Sequence, residues 1–133
     1  MHFMDSPEQA LLVIVLFSDV DTRGGGTFLA TDSIRPVARL LASQPAGLHA
    51  DGVQSKGYLI PGLIAQCKRF VEVTGGAGDV WLLHPYMLHR VSHNASGRPR
   101  LITNPCVALK RPFDFNRPQA ELSVVNRADP RGA

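Results

Sequence analysis

A chain of 133 residues with 44% hydrophobic content is long enough for one domain with a real core and too short for two ordinary ones. Charged residues at 19%, aromatics at 7%, 12 glycines and 10 prolines exclude a coiled coil, a collagen repeat and a wholly disordered chain. The net charge of +3 gathers in the last third, where residues 90–133 hold 8 basic and 3 acidic side chains, without the dense basic stripe and interleaved aromatics of a nucleic-acid binder.

The segment before the first apolar run carries Asp5 and Glu8 where a signal peptide needs positive charge, and the run itself, from Ala10 to Phe17, is too short to cross a bilayer. No membrane or nucleic-acid partner is expected, and a cytoplasmic location is. Leu11 to Phe17 has no polar alternation and predicts a strand buried on both faces, closed by Ser18-Asp19 and then by Arg23-Gly24-Gly25-Gly26. Thr27 to Ala30 predicts a second strand. Asp32 or Ser33 then caps a helix in which Ile34, Val37, Ala38 and Leu41 recur at i, i+3, i+4 and i+7. Pro36 falls in its first turn, where a missing N–H costs little, and Gln44-Pro45-Ala46-Gly47 ends it.

Residues 45–60 have no period and predict a loop. Pro61 to Lys68 predicts a short helix, Phe70 to Thr74 a strand, Gly75 to Asp79 a turn and Val80 to Leu83 another strand. Leu88 to Ser92 and Arg100 to Thr103 are expected to pair as antiparallel strands about a polar turn from His93 to Pro99. Asn94-Ala95-Ser96 matches a glycosylation sequon but falls in that turn, in a chain with no expected secretory route. Cys67 and Cys106 lack any CxxC or Cys/His ladder and are expected as reduced core thiols. The expected class is mainly β with one or two short helices, a domain over residues 1–117 and a polar, flexible tail over 118–133.

The densest set of functional side chains runs from Gly78 to Asn94, followed by Arg98-Pro99-Arg100, and includes His84, His89 and His93. A turn centred between Asn94 and Ala95 sets His89 opposite Arg100, with facing side chains about 5 Å apart. That pairing suits a metal-bound dicarboxylate, which needs a neutral nitrogen at the metal and a planar, permanently charged fork on its far carboxylate. A satisfied core histidine and a surface arginine fit the same spacing. His84, at an odd offset from His89, belongs on the other face of a regular strand. His93 reads as loop, Trp81 as core, and Asp79 as an acceptor for the backbone of its glycine-rich turn.

Leu11 to Val20 with Gly24-Gly25-Gly26-Thr27-Phe28, and above all Gly78-Asp79-Val80 leading to His84-Pro85-x-x-x-His89, Asn94 and Arg100, resembles the phytanoyl-CoA dioxygenase-like family. The resemblance spans roughly residues 5–117. It implies an Fe(II)- and 2-oxoglutarate-dependent oxygenase on a double-stranded β-helix (jelly roll), with His89 as the distal iron ligand and Arg100 on the 2-oxoglutarate carboxylate. It also implies a His-x-Asp pair shortly before the first strand, which is not in this sequence. His2-Phe3-Met4-Asp5 has His-x-x-Asp, whose ends point to opposite faces of a strand. The family's small hydroxyl residue two after the distal histidine is replaced by Val91, with Ser92 next.

Two functions follow as expectations. One is an oxygenase hydroxylating a small or lipid-like organic substrate, of which this chain is the C-terminal half of an incomplete β-helix. The alternative is a non-catalytic remnant that acts as a binding or oligomerising module, forming a homo-oligomer through exposed strand edges.

Overall fold

The computed structural model describes residues 3–7, 10–48 and 59–121, together with 123, 125 and 127. His2 and most of the loop expected over 45–60 lie outside the described residues. In chain order the strands are β1 (Leu11–Leu16), β2 (Thr27–Ala30), β3 (Phe70–Glu72), β4 (Val80–Leu83), β5 (His89–Val91), β6 (Ile102–Thr103) and β7 (Cys106–Val107). Helices α1 (Ile34–Ala42) and α2 (Leu59–Ile64) lie between β2 and β3. The chain is therefore mainly β, as its composition and short periodic segments predict.

Two antiparallel sheets form. In the first, β1 pairs with β4 on one side, and on the other with β6 at its C-terminal end and β7 at its N-terminal end. In the second, β2 lies between β3 and β5. Leu12, Ile14, Leu16 and Leu83 from the first sheet pack with Leu29, Val73 and Val20, so the two sheets face each other across a shared core. Trp81, Met87 and Ile102 close its margins.

The expected hairpin between residues 88–92 and 100–103 does not form. Asn94 bridges Gly24, and the Ala95 N–H donates to the Arg23 carbonyl at 2.8 Å, so the backbone after β5 is already committed to the turn that precedes β2. The chain then crosses to the other sheet, where Ile102 pairs with Leu16. β5 and β6 thus belong to opposite sheets.

The strand expected to be buried on both faces is buried on one. Leu12, Ile14 and Leu16 are buried, whereas Leu11, Val13 and Val15 are half-buried. The outer side of this sheet carries Phe17, Leu82 and Leu101 at 64%, 66% and 63% exposure. The apolar run is continuous because both faces are apolar, not because both are covered.

The face of α1 follows its spacing: Ala38 and Leu41 are buried against Tyr86, with Ile34 and Val37 beside them. The expected cap does not. Ser33 holds the N-cap position without capping the helix. Its hydroxyl donates to the Ala30 carbonyl at 2.7 Å and accepts the Leu88 N–H at 2.8 Å. Asp32 accepts the Lys68 N–H at 2.8 Å, where the chain enters β3. Both side chains also reach long-range partners, Leu88 and Lys68.

Cys67 and Cys106 are free; Cys67 is buried, but Cys106 is exposed because β7 is a two-residue strand at the margin of the sheet. Within the segment expected as a tail, Gln119–Glu121 form a 3-10 turn and the Val125 carbonyl meets His84. Among the described residues no helix is long and apolar enough to cross a membrane.

Candidate metal and carboxylate site

His89 opens β5 and pairs with Leu29, which is 1% exposed and part of the core. Paired residues project to the same side of a sheet, so His89 projects into the space between the sheets. It is nonetheless exposed, as is Val91 two residues on, because no described segment covers this end. The His89 Nδ1 lies 3.0 Å from the Met87 carbonyl. A carbonyl only accepts, so Nδ1 is the donor in this contact, and Nε2 is the ring nitrogen with no partner among the described residues.

Arg100 reaches the same space from the facing sheet. The Phe17 N–H donates to the Leu101 carbonyl at 2.8 Å, and the Leu101 N–H to the Ser18 hydroxyl at 2.9 Å, which extends the β1–β6 ladder back to Arg100. Two residues from the inward Ile102, Arg100 shares its side of the strand. Arg100 is half-buried and has no hydrogen-bond or ion-pair partner among the described residues. Arg98 is committed instead to an exposed ion pair with Asp21. His89 and Arg100 thus belong to opposite sheets, and the cross-strand contact of about 5 Å expected of a hairpin does not form; Arg100 lies beside Gly25, and His89 pairs with Leu29, four residues further along the chain.

The floor under Arg100 is the glycine-rich turn. Gly25 has φ +82, and a Cβ there would lie 2.7 Å from the Asn94 Cβ and 3.2 Å from the Arg100 Nε. Glycine leaves the room in which the guanidinium lies. The turn is held by Glu72, a residue the sequence does not single out. Its Oε2 accepts the Arg23 N–H at 2.7 Å, and its Oε1 accepts the Gly26 N–H at 3.2 Å and the Ser92 hydroxyl at 2.7 Å. The bond from Arg23, then that from Ser92, hold the Glu72 carboxyl below its ordinary pKa. Ser92 thus spends its hydroxyl on Glu72, so it does not replace the hydroxyl residue missing at Val91.

His84 is structural. Its Nδ1 accepts the Tyr86 N–H at 3.1 Å, which leaves Nε2 to donate to the Val125 carbonyl at 3.0 Å, and burial pushes its pKa down. Asp79 accepts the Gly76 N–H at 2.9 Å within its own turn. Trp81 donates to the Thr74 carbonyl at 3.3 Å while packing on the core. His93 is exposed, and Asn94 closes its loop on Ser96 and Arg98.

Among the described residues no three His, Cys, Asp or Glu side chains lie together, so these residues do not by themselves complete an iron site. An imidazole such as that of His89 is a ligand type that suits iron. Comparison of the chain with protein-family models, curated proteins and solved structures gives no match.

Proposed function

We propose that this chain supplies part of an Fe(II)- and 2-oxoglutarate-dependent dioxygenase acting on a small or lipid-like organic substrate. His89 is an iron ligand, Arg100 holds the far carboxylate of 2-oxoglutarate, and the remaining ligands come from outside the described residues. What supports this is the pair itself: an imidazole whose Nδ1 is taken by the Met87 carbonyl and an unpartnered, half-buried arginine, carried by two sheets that share a core. A half-buried cation without a protein partner is open to a ligand anion, and a planar fork suits a carboxylate. The family resemblance assigns the same two residues. From β3 to β6 successive strands alternate between the two sheets, which supports the double-stranded β-helix reading. Iron, when bound, would supply the chemistry of dioxygen activation; what these residues supply is one neutral nitrogen and a fixed positive charge.

Isothermal titration of the chain with 2-oxoglutarate, with and without Fe(II) under anaerobic conditions, tests this. Arg100→Leu is expected to abolish binding in both conditions, and His89→Ala to remove only the gain that Fe(II) gives. Binding unchanged by Arg100→Leu would overturn the assignment.

The alternative is a non-catalytic module. The single nitrogen donor at the site and the unpaired outer edge of β5 among the described residues favour it. Succinate formation by the 133-residue chain with Fe(II) and 2-oxoglutarate would exclude it.

A further inference from the structure

A cavity of about 500 Å³ lies away from the His89–Arg100 interior, between residues 3–5, the C-terminal end of α1 and residues 112–116. Its size falls within the range of small-molecule sites, about 300–1,000 Å³. Three phenyl rings line it, those of Phe3, Phe113 and Phe115, with Leu41 beneath them. The Phe113 and Phe115 rings lie 5.7 Å apart and tilted by 43° to one another. Two acidic residues, Asp5 and Asp114, share the lining, and among the described residues no Lys, Arg or His does.

That charge balance runs against the chain. The protein is net positive, and Lys110, Arg111 and Arg117 flank the very segment that forms one wall, yet none of Lys110, Arg111 or Arg117 lines the cavity. Asp5 has no hydrogen-bond or ion-pair partner among the described residues. Asp114 accepts the Asn116 N–H at 3.0 Å and meets the Arg117 Nε at 3.4 Å in an exposed pair, a contact weak enough for a ligand cation to compete with. Leu41 and Ala42, in the last turn of α1 at the negative pole of the helix, belong to the same wall. Aromatic faces, carboxylates and a helix C-terminus all favour positive charge, and the rings favour a cation with an apolar body over a hydrated metal ion.

We propose that this cavity binds a small organic ammonium ion, its charge met by Asp5 and Asp114 and its alkyl or aryl body by Phe3, Phe113 and Phe115. The inference is independent of the oxygenase assignment and uses none of its residues.

Phenyltrimethylammonium chloride is the probe, titrated into the full 133-residue chain by calorimetry, with tert-butylbenzene as the neutral isostere in a competition measured by NMR. The ammonium ion is expected to bind in the millimolar range or tighter, with affinity falling as salt rises, and the isostere to bind more weakly. Asp5→Asn, a change at an exposed side chain, and Phe113→Leu are each expected to weaken the ammonium about two- to fivefold, the usual worth of one cation–π or exposed charge contact. Circular dichroism shows that each variant is folded. No binding at 10 times the millimolar range, equal binding of the neutral isostere, or full affinity in both folded variants would overturn the proposal.

Discussion

The Glu72 carboxylate and the Ser92 hydroxyl meet at 2.7 Å, joining the end of β3 to the residue after β5 over the turn that enters β2. The same carboxylate takes the Arg23 and Gly26 N–H groups, so one side chain holds the turn on which Arg100 lies. Because these bonds need the ionised form, its folded pKa is below the ordinary value of 4.5. The unfolded chain therefore binds more protons in acid. The stabilisation is complete above about pH 4.5 and is lost as pH falls through the folded value. Glu72→Gln is expected to cost about 1–2 kcal/mol at pH 7, discounted for partial exposure. Urea unfolding of both proteins from pH 7 to pH 3 checks this: the gap should close in acid, and a constant gap would remove the charge from the explanation.

Ser33 is fully buried, and its hydroxyl bridges Ala30 to Leu88. Removing it strands the Leu88 N–H and takes one donor from the Ala30 carbonyl, in a place water does not reach. Ser33→Ala is expected to destabilise by about 1–3 kcal/mol, the cost of unsatisfied buried polar groups. Ser33→Thr should not restore it, since the extra methyl has no room at a site of 0% exposure. Chemical denaturation midpoints of the two variants measure both statements.

What the sequence makes legible here is periodicity. The spacing of Ile34, Val37, Ala38 and Leu41 gives the packed face of α1, and the short β-branched runs give β1 to β6 within a residue or two. Pairing is less legible, because which strand lies beside which depends on contacts far along the chain. Asn94 and Ala95 bond to Gly24 and Arg23, and no local pattern announces that. His89 and Arg100 are visible as residues, but their arrival from opposite sheets is not. Glu72 was invisible for the same reason: its donors lie 46 and 49 residues away.

Leu16 and Phe17 are neighbours on one apolar run and should respond oppositely to truncation. Leu16 is 0% exposed and packs between the sheets; Phe17 is 64% exposed on the outer face. Leu16→Ala is expected to cost about 2–5 kcal/mol through lost burial and a cavity. Phe17→Ala should cost under about 1 kcal/mol, as surface changes do. Thermal unfolding of the pair tests the assignment of faces directly. Comparable losses would mean that the outer face is covered in solution.

Gly25 carries the most direct test of the site's geometry. Its φ of +82 penalises any side chain, and an alanine Cβ would meet the Asn94 Cβ at 2.7 Å and the Arg100 Nε at 3.2 Å. The Asn94 contact is with a side-chain root that cannot swing away, so the turn itself must shift. The Arg100 contact is with a flexible chain, which yields by withdrawing from its floor. Gly25→Ala is therefore expected to cost about 1–2 kcal/mol of stability from backbone strain. If Arg100 holds 2-oxoglutarate as proposed, Gly25→Ala should also weaken its binding by about tenfold or more at a temperature where the variant is folded, because a charged fork displaced by about an ångström no longer matches a carboxylate. Gly24→Ala makes the control: its Cβ would strike the Asp21 carbonyl at 2.7 Å and has no Arg100 atom among its nearest contacts. It should lower stability while sparing affinity per folded molecule. If both variants lose affinity only in proportion to their unfolded fraction, Arg100 does not depend on Gly25 for its position.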